Sequence, residues 1–409
     1  MKTLIIICFS FTFLSDFPFH PFSSHDLQAK SIFKKAKKKA KKIKKKVKKK
    51  LNKSKEKITK TTKSGFSKSQ DVYYNSLLKT FKKSKKECSN YKNPVKNFHE
   101  GAGVTDVAFI AFGDTQLGGG SKDQNDLQVK AINSFLGRTI EIRGESHEVK
   151  NVRGVIMAGD ITQNGRDGRC FEKNEIRKFE EIYGMCGERK LKLPLYEGWG
   201  NHDYYEWSNP CYKVFNHPAI RYVRERNKYR PEITNYSRNG HYSFDWDNIH
   251  FVQVNLKPSN EKTKNKKNIY DPYNALDFLR NDLDKFVGDS NKGVVIIGHY
   301  GLISDWDHDR WWTQEEGDKF LDVVKDYNVI SYLHGHAHNT GLYTKNNIPI
   351  FNVGSPYYKE YNPDGRGHFT YFHIRNNKLS AIDVSWDPKD PTKLFYGNAW
   401  SFNKEVSIP

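Results

Sequence analysis

Five short turns in the sequence carry the side chains that could do chemistry. The first offers Gly113, Asp114, Thr115 and Gln116, and the second Gly159 and Asp160. The third offers Gly200, Asn201, His202 and Asp203, the fourth Gly298 and His299, and the fifth Gly335, His336, Ala337 and His338. Each follows an apolar run. Taken singly such a turn says little, because Gly-Asp is common in loops and a buried His is usually a satisfied core residue. Together, Asp114, Gln116, Asp160, Asn201, His299, His336 and His338 supply carboxylate, amide and imidazole ligands. Seven are too many for one catalytic zinc, which keeps three protein ligands and an open position. They suit two metals a few ångströms apart that share one carboxylate.

The elements that must position these turns can be read from apolar runs bounded by Gly, Asn, Asp and His. Strands are expected at Val107–Phe112, Val155–Ala158, Leu195–Gly198, His250–Asn255, Val294–Ile297, Ser331–Leu333 and Ile348–Val353. Helices are expected at Asp126–Phe135, Lys173–Tyr183, Ala275–Phe286 and Glu315–Tyr327. Phe369–Ile374 and Leu379–Val384 read as antiparallel strands joined at Asn376–Asn377. Strands alternating with helices imply α/β layering, and the final antiparallel pair implies a mixed sheet. In an open α/β sheet, ligands bind outside the carboxyl ends of strands. Five ligand-bearing turns would therefore meet at one edge. No internal repeat is present.

The order GD, GD, GNHD, GH, GHxH resembles the calcineurin-like metallophosphoesterase superfamily, over roughly Val104 to Val384. The resemblance implies a two-sheet β-sandwich flanked by helices, with a dinuclear site on loops at the strand ends. Asp114, Gln116, Asp160 and His338 would hold one metal. Asp160, Asn201, His299 and His336 would hold the other, with Asp160 bridging. His202 would not be a ligand but would stabilise the transition state or protonate the leaving oxygen, with Asp203 orienting it. The implied reaction is phosphoric ester hydrolysis by a hydroxide that bridges two divalent or trivalent ions, drawn from Mn, Fe, Zn and Mg.

Two departures from the family pattern matter. The family usually has His where Gln116 stands, although some branches carry D-x-Q. An amide oxygen is a neutral, harder ligand, which shifts the site toward Mn or Mg. Purple acid phosphatases carry Tyr three residues after the bridging Asp. Here Asp160 is followed by Ile161, Thr162 and Gln163, so no purple iron centre is expected. The Arg-containing motif of protein Ser/Thr phosphatases is also absent after Asp160.

Candidate pocket walls follow the ligand turns. Trp306, Trp311 and Trp312 come after His299, interleaved with charged residues that include Arg310. Tyr204 and Tyr205 come after His202, and Tyr357 and Tyr358 after Gly354. These aromatics could stack on a nucleobase or sugar, or anchor a loop in the core. Arg310, Trp311 and Tyr204 are the substrate-binding candidates, with Arg310 suited to a second phosphate contact. A phosphomonoesterase is the first expectation and a phosphodiesterase on nucleotides, nucleic acid or phospholipid head groups the second. A third, of another class, is a polyanion- or membrane-binding protein that acts through its basic tail.

That tail dominates the charge of the 409-residue chain. Residues 30–68 hold 20 Lys and a single Glu, so only +2 of the net +21 belongs to the remaining residues. Within Ile32–Leu51, the residues Phe33, Ala36, Ala40, Ile43, Val47 and Leu51 fall on one helical stripe. Lys covers the other faces, so the stretch could dock on acidic lipid, nucleic acid, a heparin-like glycan or polyphosphate, or stay disordered. No partner protein is predicted. Before it, Met1–Lys2 and the apolar Leu4–Leu14 read as a secretory signal, too short to span a bilayer. The protein is accordingly expected to be secreted or in the endomembrane lumen.

Outside that signal stand Cys88, Cys170, Cys186 and Cys211, which allow three pairings or four free thiols. The shortest loop favours Cys170 with Cys186, leaving Cys88 with Cys211. Asn52 and Asn235 head glycosylation triplets. The expected organisation is a signal peptide at 1–29, the tail at 30–68 and a linker at 69–100. A metallophosphoesterase domain at 101–390 and a C-terminal extension at 391–409 would follow.

Overall fold

Runs of Val, Ile and Phe form strands because branched and aromatic side chains fit a pleated, half-buried surface. In the computed structural model they assemble into two mixed sheets. The structure describes residues 86, 88, 105–119, 124–167, 174–204, 217–230, 232–264, 269–302, 311, 313–356, 365–375 and 377–404. The signal peptide, the basic tail, Asn52, Arg310, Cys170 and Cys211 lie outside them, as does the linker apart from Lys86 and Cys88.

The first sheet has six strands. They are β1 (Asp106–Phe112), β4 (Val152–Met157), β5 (Leu195–Glu197), β15 (His368–Arg375), β16 (Lys378–Trp386) and β17 (Leu394–Asn403). Their spatial order is β17-β16-β15-β1-β4-β5. β1, β4 and β5 run parallel, whereas β15, β16 and β17 are antiparallel.

The second sheet has seven strands. They are β6 (Ile233–Tyr236), β7 (Tyr242–Trp246), β8 (Ile249–Asn255), β11 (Gly293–Gly298), β12 (Val329–His334), β13 (Thr340–Lys345) and β14 (Ile348–Val353). Their order is β13-β14-β12-β11-β8-β7-β6, with β8, β11, β12 and β14 parallel. Two short two-stranded ribbons complete the set, β2 (Thr139–Ile142) with β3 (Glu145–Glu148) and β9 (Thr263–Lys264) with β10 (Ile269–Tyr270).

Side chains from both sheets fill one core, which makes the fold a two-sheet sandwich. Phe109 of β1 meets Phe251 of β8 edge-to-face at 5.4 Å, and Phe372 of β15 meets Phe351 of β14 at 5.0 Å. Each such fully buried ring contributes about 1.5–3 kcal/mol of burial energy.

Helices cover the outer faces. α1 (Asn125–Phe135) places Phe135 against Phe369 and Tyr371 of the first sheet. α2 (Glu175–Tyr183) and α3 (Pro218–Arg226) are joined by the buried Arg226–Glu180 ion pair. On the second sheet lie α4 (Ala275–Phe286) and α5 (Gln314–Val324), the latter packing Phe320 on Tyr332.

α4 is fastened by a buried His250. Its Nδ1 lies 2.6 Å from Asp245 Oδ1 and its Nε2 2.8 Å from Asp282 Oδ2. Burial opposes the imidazolium, but the two carboxylates outweigh it and hold His250 above the ordinary imidazole value. Folding therefore takes up a proton here. The contribution is complete below the unfolded value of about 6.5 and fades as pH rises through the raised folded value. Wild-type Tm should fall over that window, and His250→Gln should flatten the fall. An identical Tm–pH slope in the variant would count against this account.

Several expectations change. The stretch 391–409, expected as an extension, contributes edge strand β17 to the first sheet. The cysteine pairing is also different: Cys88 joins Cys186 across 98 residues, with Cα atoms 5.7 Å apart. Cys186 is thereby taken, which excludes the Cys170 pairing that the shortest loop favoured. The Asn235 amide donates to Asp282 Oδ1 at 2.7 Å, so it is engaged inside the fold. Among the described residues, no helix is long and apolar enough to cross a membrane.

Candidate metal centre

The parallel strands of both sheets end at one edge of the sandwich, and backbone hydrogen bonds stitch their turns together. Asp114 N–H donates to the Gly159 carbonyl at 3.0 Å, Gln116 N–H to the Asp160 carbonyl at 2.9 Å and Gly335 N–H to the His299 carbonyl at 3.1 Å. Room for this convergence depends on glycine. A Cβ on Gly335 would stand 2.6 Å from Asp114 Oδ2, and one on Gly200 would collide with Asp160 Oδ1 and the His299 ring.

All seven ligand-type side chains come together there. Asp160 Oδ2 lies 3.3 Å from His299 Nε2 and 3.3 Å from Gln116 Nε2. On one side of Asp160, His338 Nε2 is 3.1 Å from Gln116 Nε2 and 3.4 Å from Asp114 Oδ1. On the other, Asn201 Oδ1 is 2.9 Å from His299 Nε2. The ligand atoms of Asp160, His299 and His336 lie within 4.8 Å of one another.

Five of the seven have left-handed backbone: Asp114 (φ 54°), Gln116 (37°), Asp160 (54°), His336 (72°) and His338 (57°). That conformation costs a non-glycine residue roughly 1–2 kcal/mol. It persists only where surrounding contacts over-determine it. Here they include Ser355 Oγ donating to the Asp114 carbonyl at 2.9 Å and His336 N–H donating to Asp114 Oδ2 at 2.8 Å.

The residues fit a cation. Asp114 Oδ1 is buried and has no hydrogen bond closer than the 3.4 Å contact from His338 Nε2, which leaves room for a cation between the two. His299 donates Nδ1–H to the Ala158 carbonyl at 2.8 Å, which directs Nε2 toward Asp160 and Asn201. Rotation about the last side-chain bond of Gln116 exchanges its amide nitrogen for the oxygen a cation requires. The carboxylates draw positive charge to this site, and a cation bound there would displace the proton that they favour on His299. Burial disfavours the charged form of His299, yet Asp160 and Asp114 push it up to about 9. Burial would raise the Asp160 carboxyl, but His299, His202 and His336 hold it far below the usual carboxylate range.

His202 N–H donates to Asp160 Oδ1 at 2.8 Å, and its Nδ1 lies 2.9 Å from the Gln163 carbonyl. Gln163, not Asp203, is thus the partner of this ring. Asp203 accepts from Ile161 N–H (3.1 Å), Thr162 N–H (2.9 Å), Thr162 Oγ1 (2.6 Å) and Gly200 N–H (2.9 Å). It clamps the second and third turns to each other. Burial and the neighbouring Asp160 charge push its carboxyl up to about 7. The reason for the difference is local: Asn201–Asp203 form a 3-10 turn, in which successive side chains diverge by about 120°.

Trp306, Trp312, Tyr205, Tyr357 and Tyr358 lie outside the described residues; of the two aromatic candidates within them, Trp311 reaches the site. Its ring centroid is 5.0 Å from that of His336 and 4.8 Å from that of Tyr300. Tyr204 is buried, donates its hydroxyl to the Asp271 carbonyl and packs on Trp199, His217 and Tyr270. It supports the wall without lining it. Sequence reading missed Gln163 and Tyr300. Tyr300 adjoins a ligand residue, but Gln163 contributes through its main chain, which no residue type signals.

Residues 107–340 match the family model described as calcineurin-like phosphoesterase. No curated protein matches the chain. Among solved structures, the GAP50 anchor of the inner membrane complex of Plasmodium is 16% identical, with a TM-score of 0.47 over 74% of this chain and 90% of that one. A dimetal phosphatase from Danio rerio is 14% identical, with a TM-score of 0.45 over 71% and 98%. A purple acid phosphatase from yellow lupin seeds is 12% identical, with a TM-score of 0.46 over 73% and 53%.

Proposed function

The chain belongs to the calcineurin-like phosphoesterase family, and from that premise we propose that it is a secreted phosphomonoesterase with a dinuclear metal centre. The observation that carries the proposal is the position of Asp160. One carboxylate oxygen lies 3.3 Å from His299 on one side and 3.3 Å from Gln116 on the other. This is the arrangement a shared ligand needs. Asp114, Gln116 and His338 would complete one metal site, and Asn201, His299 and His336 the other. Gln116 favours Mn or Mg over softer ions.

When bound, such ions supply Lewis-acid charge to the phosphoryl oxygens and an activated water. The protein's own contribution is placement. Asp160 fixes His202 through the His202 N–H, and the Gln163 carbonyl takes the Nδ1 proton. The Nε2 edge of a half-exposed ring is then left to hold or deliver a proton at the leaving oxygen. The half-exposed Trp311 borders the same site beside His336. The Cys88–Cys186 disulfide supports an oxidising compartment. The basic tail at 30–68 would hold the enzyme on an anionic surface, which heparin retention of full-length and tail-deleted protein would test.

The function test uses metal-stripped protein re-supplied with Mn, Mg, Zn or Fe, with a chromogenic phosphomonoester and its matching diester. Metal-dependent turnover that favours the monoester is expected. A preference for the diester would replace the proposed class by phosphodiesterase. No turnover with any metal, by folded protein, would end the enzyme reading.

A further inference from the structure

Lys257 is a buried cation that the mechanism does not use. It follows Leu256, whose carbonyl accepts the N–H groups of His299 (3.1 Å) and Tyr300 (2.9 Å), so it grows from the anchor of the fourth ligand turn. Its Nζ lies 2.5 Å from Glu316 Oε1 and donates to the Trp311 carbonyl at 2.8 Å. Glu316 is held in turn. Its Oε1 accepts from Ser259 Oγ at 2.6 Å, and its Oε2 from Thr313 N–H at 2.8 Å in the capping box that starts α5. Thr263 Oγ1 adds a second donor to the Trp311 carbonyl at 3.3 Å. The indole is backed by Tyr300 and Tyr270, both buried, and meets the His336 ring near perpendicular, at 78°.

A lysine and a glutamate taken out of water are costly to keep, and removing one partner alone leaves an uncompensated charge. Here a second ammonium proton goes to the main chain of a half-exposed tryptophan beside the metal ligands. We propose that the Lys257–Glu316 pair is a positioning device that fixes Trp311 as a planar wall of the metal centre, selecting phosphoesters whose leaving group is an aromatic or heteroaromatic ring. A planar ring can stack, offset, on the indole face, whereas an alkyl group gains only contact area. This inference rests on the phosphoester-hydrolase reading of the site.

The test is calorimetric binding of phenylphosphonate and methylphosphonate, which are not turned over, to Mn-loaded protein. Wild type should bind the phenyl compound roughly five- to tenfold more tightly. Trp311→Ala should bring the two within about twofold, and Trp311→Phe should keep most of the preference. Lys257→Met and the double variant Lys257→Met/Glu316→Gln, which leaves no unpaired buried charge, should also lose the preference while methylphosphonate affinity holds. A folded double variant that keeps the full preference would overturn the proposal. So would failure of both Lys257 variants to fold, since the pair would then be a folding element. Equal binding of the two phosphonates by wild type would remove the wall but leave the hydrolase reading standing. Binding of neither would remove the hydrolase reading, and this inference with it.

Discussion

Replacing Asp160 with asparagine is expected to lower kcat on the order of 10³-fold or more and to release metal from both halves of the site. The substitution keeps size and shape, and asparagine tolerates the left-handed backbone found at this position (φ 54°). The fold should therefore survive. What is lost is the charge that answers to both sides. Asp160 Oδ2 is 3.3 Å from His299 Nε2 and 3.3 Å from Gln116 Nε2. An amide there offers one oxygen and one NH₂ group, and the NH₂ group repels a cation. Metal content after dialysis, read beside kcat, checks the claim. Full occupancy of two ions in the variant would show that Asp160 is not the shared ligand.

The second large effect separates chemistry from metal binding. His202→Ala should lower kcat by about 10²- to 10⁴-fold, the usual worth of a positioned general acid, with metal content nearly unchanged. Asn201→Ala, one residue earlier, should lose activity and metal together, because Asn201 Oδ1 meets His299 Nε2 at 2.9 Å. The His202 ring has no contact with the ligand atoms in the hydrogen bonds it makes. Its Nδ1 lies 2.9 Å from the Gln163 carbonyl, and only its main-chain N–H touches Asp160. Equal metal loss in the two variants would contradict the role given to His202.

Much of the site could be read from the chain because its chemistry demands particular residue types at strand ends. Asp114, Asp160, Asn201, His299, His336 and His338 each follow a hydrophobic run, and the runs became strands with ends close to those expected. Elements that bury little were harder to see. In the β2–β3 ribbon, Ile140, Ile142 and His147 face inward while Thr139, Glu141, Glu145, Ser146 and Glu148 are exposed, too short an alternation to stand out. The edge strand β17 has no fully buried residue, so its sequence resembles an extension.

Contacts between distant residues were harder still. The Cys88–Cys186 pair and the Lys257–Glu316 pair follow from topology, which no local spacing reports. Asp203 misled for the opposite reason, since adjacency to His202 in sequence stood in for adjacency in space. The left-handed backbone at Asp114, Gln116, Asp160, His336 and His338 was invisible because non-glycine residues adopt it in only a few per cent of cases, so their presence does not signal it.

Those dihedral angles set folding yield against turnover. At Asp114, Asp160, His336 and His338 the backbone favours glycine above every residue with a Cβ, while the chemistry asks for a carboxylate or an imidazole. A variant library at these positions, selected only for soluble expression, would drift toward Gly. The same library selected for ester cleavage would return to Asp and His. Inactive members would accumulate to higher levels than the active parent, so protein abundance alone would rank the variants in the wrong order.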